Sequence, residues 1–129
     1  MVKHIIYIGM GSNLSSAAEV LAEARLWLAE LSDDEVVFSM PVRTEPVNFP
    51  WPAMFTNQVA RLTTTMTPTA VKTSLKRMER KAGRTRVETL NGIIRLDLDL
   101  LAVDGRVLKP SDWQRPYIRQ GVDELKQLS

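Results

Sequence analysis

The sequence predicts an α+β fold, a ferredoxin-like βαββαβ sandwich with an antiparallel sheet. Three observations carry this expectation. Residues 93–101 read "IIRLDLDLL", a strict alternation of hydrophobic and polar side chains that marks a half-buried strand. Two segments, from Ser16 and from Thr67, repeat apolar residues at helical spacing. Between and before them lie three further extended stretches, so strands and helices alternate in the order β-α-β-β-α-β.

The first strand is expected at about 3–8, with "GMGSN" read as a tight strand-to-helix connection. That stretch lacks the lysine and spacing of a P-loop. A helix follows over about 16–31. Ser16 and Glu19 suggest a capping box, and Val20, Leu21, Ala24, Trp27, Leu28 and Leu31 form one apolar stripe. "EVVFSMPV" (35–42) reads as a second strand, the proline-rich "RTEPVNFPWP" (43–52) as a loop, and "MFTNQVARLTT" (54–64) as a third strand. The second helix starts at Thr67–Pro68, buries Val71, Leu75 and Met78, and stops at Gly83. The fourth strand covers 93–103, "DGR" (104–106) is a turn, and "RQGVDELKQLS" ends the chain as a short helix.

With 129 residues the chain suits a single domain over 1–129 that buries a core without disulfides. Its 44% hydrophobic and 25% charged residues are ordinary for a soluble globular protein. No apolar run spans a bilayer, the N-terminus does not read as a signal peptide, and a cytoplasmic location is expected. Cysteine is absent, which excludes zinc–thiolate sites. The one histidine, His4, opens a strand and reads as structural, so no Ser-His-Asp or Cys-His arrangement can form around it. A nucleic-acid module on this fold needs aromatics on its central strands, and neither "KHIIYIGM" nor "IIRLDLDLL" supplies that pattern.

Asp97 and Asp99 share a strand face about 6–7 Å apart at Cα. Magnesium accepts one or two protein carboxylates and completes its shell with water and phosphate oxygens. Spacing alone nevertheless favours a merely solvated face by roughly two to one. Arg84 and Arg86, just past the second helix, suit phosphate oxygens or simply complement the helix dipole. Phe55 and Asn57 share a face on the third strand, where a ring and an amide can hold a flat heterocycle; alone, they read as a core ring and a surface amide.

Taken together these segments resemble the 6-hydroxymethyl-7,8-dihydropterin pyrophosphokinase (HPPK) family, from about Ile5 to Tyr117. "IGMGSNL", "SMPVRTEPV", "MFTNQV", "MERKAGRTR" and "RLDLDLL" are similar to five of its motifs, in order. The resemblance implies transfer of the β,γ-pyrophosphoryl group of ATP to a pterin hydroxymethyl oxygen in folate biosynthesis, releasing AMP. It implies Thr44, Pro46, Val47, Phe55 and Asn57 at the pterin. Glu79, Arg84, Arg86 and Leu100 fall near ATP, and Asp97 and Asp99 become ligands of two magnesium ions. Arg84 and Arg95 are the catalytic arginines of this reading. The family's Trp-Gly-Pro-Arg is "NGIIR" here, so Ile94 occupies the arginine position and Arg95 follows it onto the face of the aspartates. Tyr117 stands where the family has histidine, and the segment carrying another arginine and a second pterin-stacking aromatic is largely missing, leaving Trp113 or Tyr117 to cap the pterin. The alternative is a divergent member that binds ATP or a pterin-like ligand with weak or no catalysis, or with a different acceptor.

Overall fold

The computed structural model describes residues 2–46, 49–51 and 53–128. Its sheet is antiparallel, in the order β2 (Val37–Phe38), β4 (Phe55–Thr64), β1 (His4–Ser12), β5 (Asp97–Val103), β6 (Arg106–Val107), with β3 (Val42–Thr44) also paired to β4. Taking β2 and β3 as one interrupted strand, this is the ferredoxin-like order expected from the sequence. Helices α1 (Ala17–Leu31) and α2 (Pro68–Lys81) cover one face. Ile6, Ile8 and Met10 of β1, Ala60 and Leu62 of β4, and Leu98 and Leu100 of β5 meet Leu21, Ala24, Leu28, Val71 and Leu75 there. Each large side chain in this layer contributes about 1.5–3 kcal/mol by leaving water.

Several element boundaries differ from the sequence reading. The first strand runs through "GMGS" to Ser12 rather than stopping at Ile8. Glycine is a poor strand former by itself, but β1 is hydrogen-bonded to β4 and β5 on both sides along this stretch. The expected strand at 35–42 is split. Ser39 binds Val59 through both its amide and its hydroxyl, while the Met40 amide turns away to Glu124 and Pro41 has no amide to offer. Pairing resumes at Val42 and continues through Arg43 and Thr44, inside what the prolines suggested was a loop. The last long strand begins at Asp97 rather than at residue 93. Residues 92–94 are held instead by Asn13, whose amide donates to the Gly92 carbonyl and accepts from the Ile94 amide. A short helix the periodicity did not predict, α3 (Arg86–Leu90), starts at Thr85, whose hydroxyl accepts from the Glu88 amide.

The helix ends divide in the same way. Thr67 caps α2 by accepting from the Ala70 amide, and Gly83, with φ +96°, ends it with the Gly83 and Arg84 amides closing on the Arg80 and Glu79 carbonyls. The Ser16–Glu19 capping box does not form. Ser16 sits at φ −92°, ψ 25°, outside the extended geometry that would lay its hydroxyl over the first turn, and only its carbonyl is used. His4 is structural, as read: its Nδ1 lies 2.7 Å from Asp104 Oδ2 in the turn between β5 and β6.

The sheet face opposite α1 and α2 is only partly open. Half of it is covered by α5 (Pro116–Gln127), which follows the short α4 (Pro110–Trp113). Ile118, Val122 and Leu125 pack there on Val59 and Leu101, with Tyr7 and Trp113 at the margin. Arg61 binds the Leu125 carbonyl near the end of the helix. Gly121 permits this approach: a Cβ there would lie 2.6 Å from Val59 Cγ2 and 3.2 Å from Ser39 Oγ. No helix among the described residues is long and apolar enough to cross a membrane.

Gly121→Ala sets two effects in opposition. Alanine is the better helix former by about 1 kcal/mol, but its methyl collides with β4, and overpacking costs about 1–3 kcal/mol. The expected result is a net loss of stability, read as a lower urea midpoint at unchanged m-value. An unchanged or higher midpoint would mean that α5 does not sit this tightly on β4.

Candidate active site

The uncovered half of this face forms a cleft, and strand parity decides what enters it. On β1 the residues facing outward are Tyr7, Gly9 and Gly11, because Ile6, Ile8 and Met10 face the helices. Gly9 pairs with Val59 on one side and Asp99 on the other; Gly11 pairs with Asn57 and Asp97. The central strand therefore presents two positions without side chains, between an amide-bearing strand and a carboxylate-bearing strand. A Cβ at Gly11 would come within 3.1 Å of Asn57 Oδ1. The pairing of β1 and β5 shifts register between Tyr7 and Ile8, opposite Ala102 and Leu100. Before that shift Asp97, Asp99 and Leu101 share one face, the acids in the cleft and Leu101 under α5.

One wall is flat and aromatic. Asn57 is buried, its Nδ2 donating to Thr44 Oγ1 at 2.6 Å, and Phe55 stands two residues away on the same face. Phe49 meets Phe55 edge to face, with ring centroids 5.5 Å apart, and Pro46 completes this side. Thr44, Pro46, Phe55 and Asn57 thus come together as expected from the sequence; Val47 lies outside the described residues. Phe49 was missed, and its only sequence signal is an aromatic residue inside a proline-rich loop.

The floor is acidic. Asp97 is held above its ordinary value of 3.8, at about 6, first by burial and then by the nearby Asp99 carboxylate, with Arg84 opposing. Burial also pushes Asp99 upward, but Lys109, 2.6 Å away, and a hydrogen bond from Asp97 outweigh it and leave Asp99 below the usual range. The hydrogen bond between the two carboxylates, with Asp97 as the protonated partner, raises one group and lowers the other. Among the described residues no group of three or more metal-ligating side chains converges. Two carboxylates fit a cation that draws its remaining ligands from water and phosphate.

Glu79 and Arg84 brace this floor from behind. Glu79 is buried, and its Oε2 accepts from the Leu98 amide at 2.8 Å. Arg84 Nη1 lies 3.1 Å from Glu79 Oε2, 3.1 Å from the Leu96 carbonyl and 3.0 Å from Asp97 Oδ1. Arg86 is exposed in a neighbouring basic groove with Lys76, Arg80 and Thr85. Arg95 is placed otherwise than the sequence suggested. It does not join the aspartates: it precedes β5, and Glu88 of α3 binds its Nε at 2.6 Å and its Nη2 at 2.8 Å. The Leu100 side chain is buried under the helices, because strand parity turns it away from the cleft. On the wall opposite the aromatics, Tyr117 lines the cleft, whereas Trp113 packs edge to face on Tyr7, 5.8 Å between centroids.

A ferredoxin-like sheet with an aromatic–amide wall facing paired carboxylates defines a small-molecule site suited to a heterocycle beside a metal-bound polyanion. The profile of the 7,8-dihydro-6-hydroxymethylpterin-pyrophosphokinase (HPPK) family matches residues 7–127. A 2-amino-4-hydroxy-6-hydroxymethyldihydropteridine pyrophosphokinase of Pseudomonas putida is 35% identical over 111 residues, covering 86% of this chain and 92% of that protein. Proteins with the same name from Haemophilus influenzae and Porphyromonas gingivalis are 29% and 26% identical, covering 80% and 94% of this chain and 64% and 90% of their own lengths. The chain belongs to the HPPK family.

Asp97 gives a direct test of the acidic floor. Because the folded state holds this proton more tightly than the unfolded chain, the group favours folding below its ordinary value of 3.8. That contribution is lost as pH rises through about 6. Asp99→Asn removes the second cause of the shift and is expected to lower the Asp97 midpoint, read by carboxyl carbon NMR titration. An unmoved midpoint would mean the two carboxylates do not interact.

Proposed function

We propose that this chain transfers the β,γ-pyrophosphoryl group of ATP to the hydroxymethyl oxygen of 6-hydroxymethyl-7,8-dihydropterin, releasing AMP, in folate biosynthesis. The observation that carries the reading is the juxtaposition across Gly9 and Gly11 of Asn57 and Phe55 with Asp97 and Asp99 in a chain of this family. Phe55 stacks on the pterin, and Asn57, oriented by Thr44, hydrogen-bonds its edge. Pro46 shapes the same pocket. The narrow glycine floor lets the hydroxymethyl group lie against the carboxylates.

Asp97 and Asp99 are the residues that would hold two magnesium ions, which supply charge neutralisation and alignment of the β-phosphorus with the incoming oxygen. Arg84, anchored by Glu79, keeps Asp97 in place and carries positive charge to the edge of the triphosphate. Arg86 offers a second cation from the adjoining groove. Arg95 reaches the nucleotide only by exchanging Glu88 for phosphate, and Leu100 contributes main chain alone. In the transfer the hydroxymethyl oxygen bonds to the β-phosphorus while that phosphorus separates from the α,β-bridging oxygen. AMP leaves with the electron pair, and the hydroxyl proton is released. No side-chain nucleophile is needed. The partners in this reading are two small molecules, not nucleic acid, since the acids on the open face repel a phosphate backbone unless a metal intervenes.

Incubation with ATP, magnesium and the hydroxymethyl-dihydropterin is expected to yield AMP. ADP instead of AMP would overturn the reaction type, and tight binding without turnover would identify a divergent binder. Asp97→Asn or Asp99→Asn is expected to lower kcat by about 100-fold or more, the scale of losing a charged group that stabilises the transition state. Full activity in both would remove the metal assignment. Asn57→Ala is expected to raise the pterin Kd about tenfold, from loss of a buried hydrogen-bonding group, with ATP affinity unchanged by calorimetry. Equal weakening of both ligands would place the amide elsewhere.

A further inference from the structure

The cleft has an excess of negative charge for a site that takes a polyphosphate. Glu45, Asp97, Asp99 and Asp112 line it, and among the described residues Arg115 is the one basic side chain that does. Arg84 is committed to Glu79, the Leu96 carbonyl and Asp97, Arg95 to Glu88, and Lys109 to Asp99, while Arg86 stands in the adjoining groove. We propose that Arg115 is a phosphate-binding residue, its guanidinium presented by Asp112 and Tyr117 to the β,γ-phosphates of the nucleotide opposite Asp97 and Asp99. This inference rests on the ATP-dependent reading above.

The geometry has the marks of a preorganised fork. Arg115 Nη1 donates to the Tyr117 hydroxyl at 3.2 Å, and Nη2 lies 3.1 Å from Asp112 Oδ1. These contacts occupy the two outer nitrogens only in part and leave further N–H groups for an anion. The backbone is fixed as well. Arg115 is the N-cap residue of α5, and its carbonyl accepts from the Ile118 and Arg119 amides. The first turn of α5, including Tyr117 and Ile118, therefore stands on the same cleft wall, with its positive dipole end toward the site. Stability does not account for the arrangement, because a partly exposed i,i+3 pair such as Asp112–Arg115 contributes little. A planar, permanently charged fork held from two sides matches what phosphate recognition demands.

The test is calorimetric binding of the magnesium complex of α,β-methylene-ATP, of AMP, and of the hydroxymethyl-pterin to the full chain and to Arg115→Ala and Arg115→Lys. Arg115→Ala is expected to weaken the triphosphate analogue by about 10- to 100-fold, the worth of a charge-assisted hydrogen bond. AMP and pterin affinities should stay within about twofold. Arg115→Lys should fall between, keeping the charge but losing the fork. Undiminished binding of the analogue by Arg115→Ala would overturn the inference, as would equal losses for AMP and the analogue, which a structural role alone produces. If the unmutated chain binds no nucleotide, the ATP-dependent reading falls and this inference with it. If the unmutated chain makes AMP and Arg115→Ala binds the analogue normally, only the inference falls.

Discussion

The period-two geometry of three adjacent strands is the constraint on which the rest of this molecule depends. A strand must send alternate side chains to opposite faces, so each residue of β1, β4 and β5 that faces helices α1 and α2 dictates what its neighbours present to the other side. Ile6, Ile8 and Met10 commit Gly9 and Gly11 to the cleft; Leu98 and Leu100 commit Asp97 and Asp99. A hydrophobic core on one face thereby places the chemistry on the other. The acids cost something in a strand, and the fold tolerates them because the cleft keeps them partly hydrated and cations approach them from two elements, Arg84 after α2 and Lys109 before α4.

The cleft exists because the far face is covered unevenly. Helix α5 buries the half where Val59 and Leu101 project and stops short of the half where Asn57 and Asp97 do. The division follows the residue types along each strand: β5 changes from aspartate to leucine between 99 and 101, and β4 from asparagine to valine between 57 and 59. One wall of the site is then a loop with two aromatic rings and the other is the start of a helix. Behind the floor, the buried carboxylate of Glu79 joins the end of α2 to the second residue of β5 and holds Arg84 against Asp97. Breaking such a buried charged contact costs about 3–5 kcal/mol, so the position of the acids is tied to the stability of the core.

Much of the fold was legible because apolar periodicity is strong in α1, α2 and β5, and because Thr67 and Gly83 carry unambiguous end signals. Less was legible where tertiary pairing overrides local preference. "GMGS" has the composition of a turn, yet lies in the central strand, where neighbours on both sides supply the hydrogen bonds its own residues do not favour. The break at Ser39–Pro41 depends on a side-chain bond to Val59 and on Glu124 from a distant helix, neither of which local sequence encodes. At the site, the shared faces of Asp97 with Asp99 and of Phe55 with Asn57 followed from spacing. The placement of Arg95 did not, because its partner Glu88 lies on a five-residue helix with no periodic signal.

By itself the sequence determined the class of fold, the alternation that sets two carboxylates on one strand face, and the set of motifs that marks the family. These are local properties, written in neighbouring residues and their period. Only the tertiary structure decided which arginine faces the cleft, that α5 closes half of the open sheet face, and that two glycines separate the aromatic wall from the acids. Those outcomes depend on strand register and on helices packing across distances that sequence spacing does not record.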